Sequence, residues 1–104
     1  MIQAQFEKRQ NAYSGFCVSG HAGYAEEGQD IVCASVSSAL QMTANGITEV
    51  LGEDAQLQVE ENKIRLRLKS RSREAALLLE AFHLQLTCLA EDYPNTIKIT
   101  DLEV

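Results

Sequence analysis

The apolar residues of this chain are spaced two apart in some stretches and three to four apart in others, and each spacing admits only one kind of element. Ile2, Ala4 and Phe6 alternate with Gln3, Gln5 and Glu7, the mark of a half-buried strand. A polar turn at Arg9-Gln10-Asn11 leads into a second alternating run. Ala12, Ser14, Phe16 and Val18 fall on one side and Tyr13, Gly15 and Cys17 on the other, which predicts a hairpin. From Ile31 the spacing becomes helical through Val32, Val36, Leu40, Ile47, Val50 and Leu51. Asp30 stands at the N-cap and Gly52 at the stop, and the helix is expected to run through Asn45-Gly46 because the stripe resumes in phase. Ala55, Leu57 and Val59, a turn near Glu61-Asn62, and Ile64, Leu66 and Leu68 predict a second hairpin. A second helix is read from about Ser72 to Glu91, with Leu79, Phe82, Leu86 and Leu89 on its stripe, and Tyr93-Pro94 ends it. Thr96 to Val104 reads as a last strand with Ile97 and Ile99 inward.

The order β-β-α-β-β-α-β, with one apolar face per strand and two amphipathic helices, predicts an α+β two-layer sandwich. A mostly antiparallel five-stranded sheet would carry both helices on one face, and 104 residues suit a single domain. No apolar run approaches the roughly 18–20 residues of a membrane-spanning helix. Met1 to Phe6 lacks a basic region followed by an apolar stretch, so no secretion signal and no membrane partner are expected. An odd count of three cysteines points to a reducing cytoplasm rather than a disulfide scaffold. A net charge of −6 argues against a general nucleic-acid coat and suits a basic partner.

Residues 19–30 follow no period and hold Gly20, Gly23 and Gly28, so they read as a loop with wide backbone freedom. His21 lies in that loop, and Cys33 lies in the first turn of the helix behind it. A helix N-terminus favours thiolate, and a neighbouring imidazolium favours it further, giving a nucleophile for a carbonyl carbon. The N–H groups of residues 31–34 are expected to serve an oxyanion. Asp30 cuts the other way, since its charge would raise the thiol pKa, and it is read as capping the helix or orienting His21. Spacing alone leaves the plain alternative open: a small half-buried cysteine and a solvated loop histidine. Ser37, one helical turn past Cys33, has a hydroxyl placed for the thiol or a substrate carbonyl, or else for its own backbone.

Cys17 and Cys88 are expected to be buried small hydrophobes, and His83 a core-edge or dimer-interface residue. Six of the nine basic residues lie between Lys63 and Arg73, the first four on one strand face. They read either as a stripe for RNA or, preferably, as a solvated face partly neutralised by Glu60 and Glu61; no aromatic residue interleaves for base stacking. A metal module built on Cys17, His21 and Cys33 lacks close ligand pairs and a fourth ligand, so no metal or cofactor is expected.

The stretch Gly20-His21-Ala22-Gly23-Tyr24-Ala25 followed by Gly28-Gln29-Asp30-Ile31-Val32-Cys33-Ala34-Ser35-Val36-Ser37 resembles the signature of the ribosomal-processing cysteine protease family of Firmicutes and related bacteria. Chain length and element order fit the same family throughout. The resemblance implies a cytoplasmic endopeptidase that removes an N-terminal extension from a large-subunit ribosomal protein during ribosome assembly, cutting after aromatic or apolar residues and before a small one. It maps the nucleophile onto Cys33 and the general base onto His21, with Asp30 and Ser37 in support. Gly20, Ala22, Gly23, Tyr24 and Gly28 become loop positions near substrate, Tyr24 placed to pack on the apolar side chains before the cut. The resemblance further implies a homodimer. Ribosomal proteins are strongly basic, and Glu26 and Glu27 in the loop suit such a substrate. The alternative is a non-catalytic ribosome-associated or RNA-binding module using the basic face 63–69.

Overall fold

The computed structural model describes residues 1–20 and 30–104. Strands β1 (Ile2–Arg9) and β2 (Ala12–Ser19) form the first hairpin, whose two-residue turn places Gln10 and Asn11 at φ 52° and 66°. Positive φ at both positions matches the right-handed twist of the flanking strands, and Asn tolerates it well. Helix α1 (Ile31–Asn45) follows, then β3 (Ala55–Glu60), β4 (Lys63–Leu68), α2 (Arg73–Asp92) and β5 (Ile97–Glu103). The sheet order is β3-β4-β2-β1-β5, antiparallel throughout except for the parallel β1–β5 pair. The expected α+β sandwich is the observed one. Phe6, Phe16, Leu66, Val32, Leu79 and Leu86 meet in one core between the sheet and the helices.

Four sequence expectations change. The chain beyond Asn45 does stay helical, but as a π turn over Gly46–Val50, closed by the Leu51 N–H donating to the Gly46 carbonyl at 2.9 Å. The wider turn shifts the phase: Ile47 stays buried, while Val50, expected inward, is 82% exposed. Gly46 lets α2 approach closely, since a Cβ there would lie 3.1 Å from a Leu78 methyl. Gly52 at φ 67° makes the stop. On β3 the inward-assigned Leu57 and Val59 are 48% and 68% exposed, because β3 is the sheet edge. In β2 a bulge opposite Glu7 and Lys8 leaves Ser14 as the extra residue, its hydroxyl donating to the Glu7 carbonyl. The slip turns Tyr13, expected outward, onto the core, with its ring 5.8 Å from Phe6 and 5.4 Å from His83. His83 sits at the core edge as expected, with Nε2 3.2 Å from Asp101. Cys88 is exposed on α2 rather than buried.

The face away from the helices carries Glu7 and the arginines. Glu7 is buried at 2% exposure; its carboxylate accepts from Arg65 Nη2 at 2.9 Å, Arg67 Nε at 2.9 Å and Arg67 Nη2 at 3.0 Å. The carboxylate reaches Arg67 across β2 because Gly15 is the residue between them, and a Cβ there would run into the Leu66 carbonyl oxygen. Glu7 therefore neutralises Arg65 and Arg67, while Glu60 is the cross-strand partner of Lys63 and Asp54 lies 3.5 Å from Lys69. No helix among the described residues is long and apolar enough to cross a membrane.

Candidate active site

Asp30 begins the site. Its backbone is extended at φ −77° and ψ 106°, and its buried carboxylate accepts from the Val32 N–H at 2.9 Å and the Cys33 N–H at 3.2 Å. The Asp30 carbonyl takes the Ala34 N–H at 3.1 Å. The capping role read from sequence holds, but it consumes donors expected to serve an oxyanion. Of the four amides at 31–34, only that of Ile31 is not taken up by these bonds. An acyl-transfer oxyanion here would draw on the Ile31 N–H or on donors outside this turn.

Cys33 is half-buried on the first turn of α1 and packs against the core. Ser37 follows one turn later, so both side chains open into the same cleft of about 280 Å³. Ser35, not Ser37, bonds its own backbone, with Oγ donating to the Ile31 carbonyl at 2.7 Å. The cleft lies where β1 begins, β2 ends and the β3–β4 turn folds over. Ile2, Val18, Val36, Leu40 and Ile64 give it an apolar lining. Gly20 closes one side at φ 88°; its N–H donates to the Asn62 carbonyl at 3.2 Å, and a Cβ would come within 2.7 Å of the Met1 carbonyl oxygen. That position requires glycine twice over, for its dihedral and for its packing.

The remaining loop residues named from sequence, His21, Ala22, Gly23, Tyr24 and Gly28, lie outside the described residues, as do Glu26 and Glu27. Sequence reasoning placed the β3–β4 turn but missed that it belongs to the site. Glu60, Glu61, Asn62 and Lys63 line the Cys33 cleft, two carboxylates to one ammonium on its rim. Nothing in local spacing reveals this, because it follows from β4 pairing with β2. Cys17 lies on the other side of the sheet, between Gln5 and Arg65, so it does not join Cys33 in a ligand set.

A protein-family profile described as "Cysteine protease Prp" matches residues 1–98. The ribosomal processing cysteine protease Prp of Bacillus subtilis is 29% identical, the match covering 96% of each chain. Its Mycoplasma genitalium counterpart is 33% identical over 88% of this chain and 92% of that one. Among solved structures, SMU.848 from Streptococcus mutans has a TM-score of 0.86 at 32% identity, covering 100% of this chain and 96% of its own. An essential ribosomal processing protease Prp from S. aureus, crystallised with a covalently linked product peptide, has a TM-score of 0.91 at 24% identity over 98% of this chain and all of its own, a likeness of fold. With the profile spanning nearly the whole chain and a cysteine poised at a helix start beside an apolar cleft, the chain belongs to the cysteine protease Prp family and is a cysteine protease.

Proposed function

We propose that residues 1–104 act as one cytoplasmic cysteine-protease domain that removes an N-terminal extension from a basic large-subunit ribosomal protein, with Cys33 as nucleophile and His21 as general base. The observation that carries this reading is the Cys33 cleft: a half-buried thiol at a helix start and an apolar lining, with Glu60 and Glu61 outnumbering Lys63 on the rim. The relatives' names add ribosomal processing. The lining suits an aromatic or apolar side chain before the cut, and Glu60 and Glu61 suit cationic residues of the same substrate. His21 takes the Cys33 proton, and the thiolate adds to the scissile carbonyl carbon. The tetrahedral intermediate collapses to a thioester as His21 returns the proton to the departing amine. Water, deprotonated by His21, then hydrolyses the thioester and restores the thiol. Asp30 holds the backbone of the Cys33 turn, and the Ser37 hydroxyl faces the same cleft as the thiol.

The domain works as a homodimer on this reading. Leu77 and Leu84 on the outer face of α2 are 55% and 62% exposed, with Cys88 following in the same stripe. The seven-residue interval from Leu77 to Leu84 is the spacing one helix offers another.

The test is incubation of the extended precursor with native protein and with Cys33→Ala. Native protein should trim it, and Cys33→Ala should lose at least about 10³-fold in rate. Trimming by Cys33→Ala at the native rate overturns the assignment. A catalytic rather than RNA-coating role is also favoured by the sheet, since Arg65 and Arg67, half of the basic stripe 63–69, are committed to Glu7.

A further inference from the structure

The chain's nine cations are not scattered evenly. Arg65 and Arg67 clamp Glu7, Lys69 lies 3.5 Å from Asp54, Lys63 sits on the rim of the Cys33 cleft, and Lys98 is exposed on β5. The other four, Lys8, Arg9, Arg71 and Arg73, all line one open cavity of about 550 Å³. It lies at the end of β1 and β2 opposite the Cys33 cleft, walled by the first hairpin turn, the β4–α2 connection and the first turns of α2. None of these four makes an ion pair among the described residues. Lys8 Nζ lies 4.8 Å over the Tyr13 ring, and Arg71 Nη1 donates to Gln10 Oε1 at 2.5 Å. Glu80 is the one acidic side chain in the lining, while Ser70 and Ser72 add hydroxyls.

Four like charges around one cavity, in a chain of net charge −6, repel one another and outnumber the nearby carboxylates, Glu80 in the lining and Glu103, the β5 residue that Lys8 pairs with across the sheet. Three of them are guanidiniums, whose planar forks fit phosphate oxygens in pairs. At about 550 Å³ the cavity has room for more than one phosphate group.

We propose that this cavity binds the phosphate backbone of single-stranded RNA. The choice of RNA among polyanions rests on the ribosomal substrate proposed above, because a protease that acts on a ribosomal protein works where RNA is the prevailing polyanion. The site is separate from the cleft, so it anchors the enzyme without entering the chemistry.

The test is fluorescence anisotropy of a labelled single-stranded oligouridylate with the full chain, at salt raised from about 50 to about 200 mM. Native protein should bind, and more weakly as salt rises. The double variant Arg9→Gln/Arg73→Gln should weaken binding at least about tenfold and lower the log K against log salt slope by about 1.4, two contacts at about 0.7 each. Lys63→Gln/Lys98→Gln removes the same charge elsewhere and should bind as native, both doubles being checked for native thermal unfolding. Equal losses in the two doubles, or no salt-dependent binding by native protein, overturn the proposal. So does tighter binding of polyglutamate or of phosphatidylserine vesicles, which would make the ligand an acidic protein or a membrane. The cavity variant should still cleave isolated precursor at the native rate. Native protein that binds RNA but leaves the precursor intact would refute the protease substrate and leave the cation site standing.

Discussion

Asp30 Oδ1 accepts from the amides of both Val32 and Cys33, so its removal acts on α1 and on the nucleophile's own backbone together. Asp30→Ala should cost about 1 kcal/mol of folding stability, the usual loss for a carboxylate cap, while Asp30→Asn keeps an acceptor and most of that stability. Denaturant midpoints of the three proteins check this, and an Asp30→Ala midpoint equal to native would show that the cap contributes nothing. The cap itself was legible in the sequence, since an aspartate directly before a helical stripe has few other uses. Its effect on the oxyanion donors was not. Which N–H groups a carboxylate consumes depends on its backbone dihedrals and rotamer, and spacing carries neither. The burial of Cys88 was misjudged for a similar reason: it lies beside the apolar stripe of α2 in sequence and one position off it in space.

At the scale of elements, Glu7 ties β1 to β4 across β2. The hydrogen bond from Arg67 and then that from Arg65 hold its carboxyl below the ordinary glutamate range, although burial pulls the other way. A folded value below the unfolded one means that the pair stabilises the protein at neutral pH. That contribution fades as the pH drops below about 4.3 and passes through the lower folded value. Glu7→Gln should lower neutral stability by about 2 kcal/mol. This is less than the roughly 3–5 kcal/mol of a fully buried pair, because both arginines are partly exposed. The variant should also lose less stability than native between neutral pH and pH about 3, measured by urea unfolding. An acid dependence as steep as native would contradict the pair's role. Alternation alone put Glu7 and the arginines on the polar sides of their strands, which is right. It could not name them as partners, because 58 and 60 residues separate them and only the strand order brings them together. The bulge at Ser14 escaped notice for a different reason: one inserted residue reverses the facing of Tyr13 without altering the composition of the run.

Across the whole molecule, element order and layer count followed from periodicity, while the strand order β3-β4-β2-β1-β5 did not. Pairings between distant strands leave no local trace, and they decide that the β3–β4 turn meets Cys33 and that β5 runs parallel to β1. The exposed stripe of α2 belongs to this scale as well. If the proposed homodimer forms through this stripe, Leu84→Glu should leave a monomer without loss of fold, read by sedimentation equilibrium and circular dichroism. A native protein that is monomeric at micromolar concentration would remove the dimer from the proposal, and a Leu84→Glu dimer would move its interface off α2.

The packing of Gly20 against the Met1 carbonyl oxygen bears on how such a protein should be handled. Ile2 is both the first residue of β1 and part of the cleft lining, so the chain enters the fold at the mouth of the Cys33 site. Peptide fused ahead of Met1 would be tethered beside the thiol at a high effective concentration and would compete with free substrate. Peptide fused after Val104, whose N–H donates to the Lys8 carbonyl at 2.9 Å, would leave at the far end of the sheet. Affinity tags for kinetic work therefore belong after Val104, and those for RNA binding before Met1.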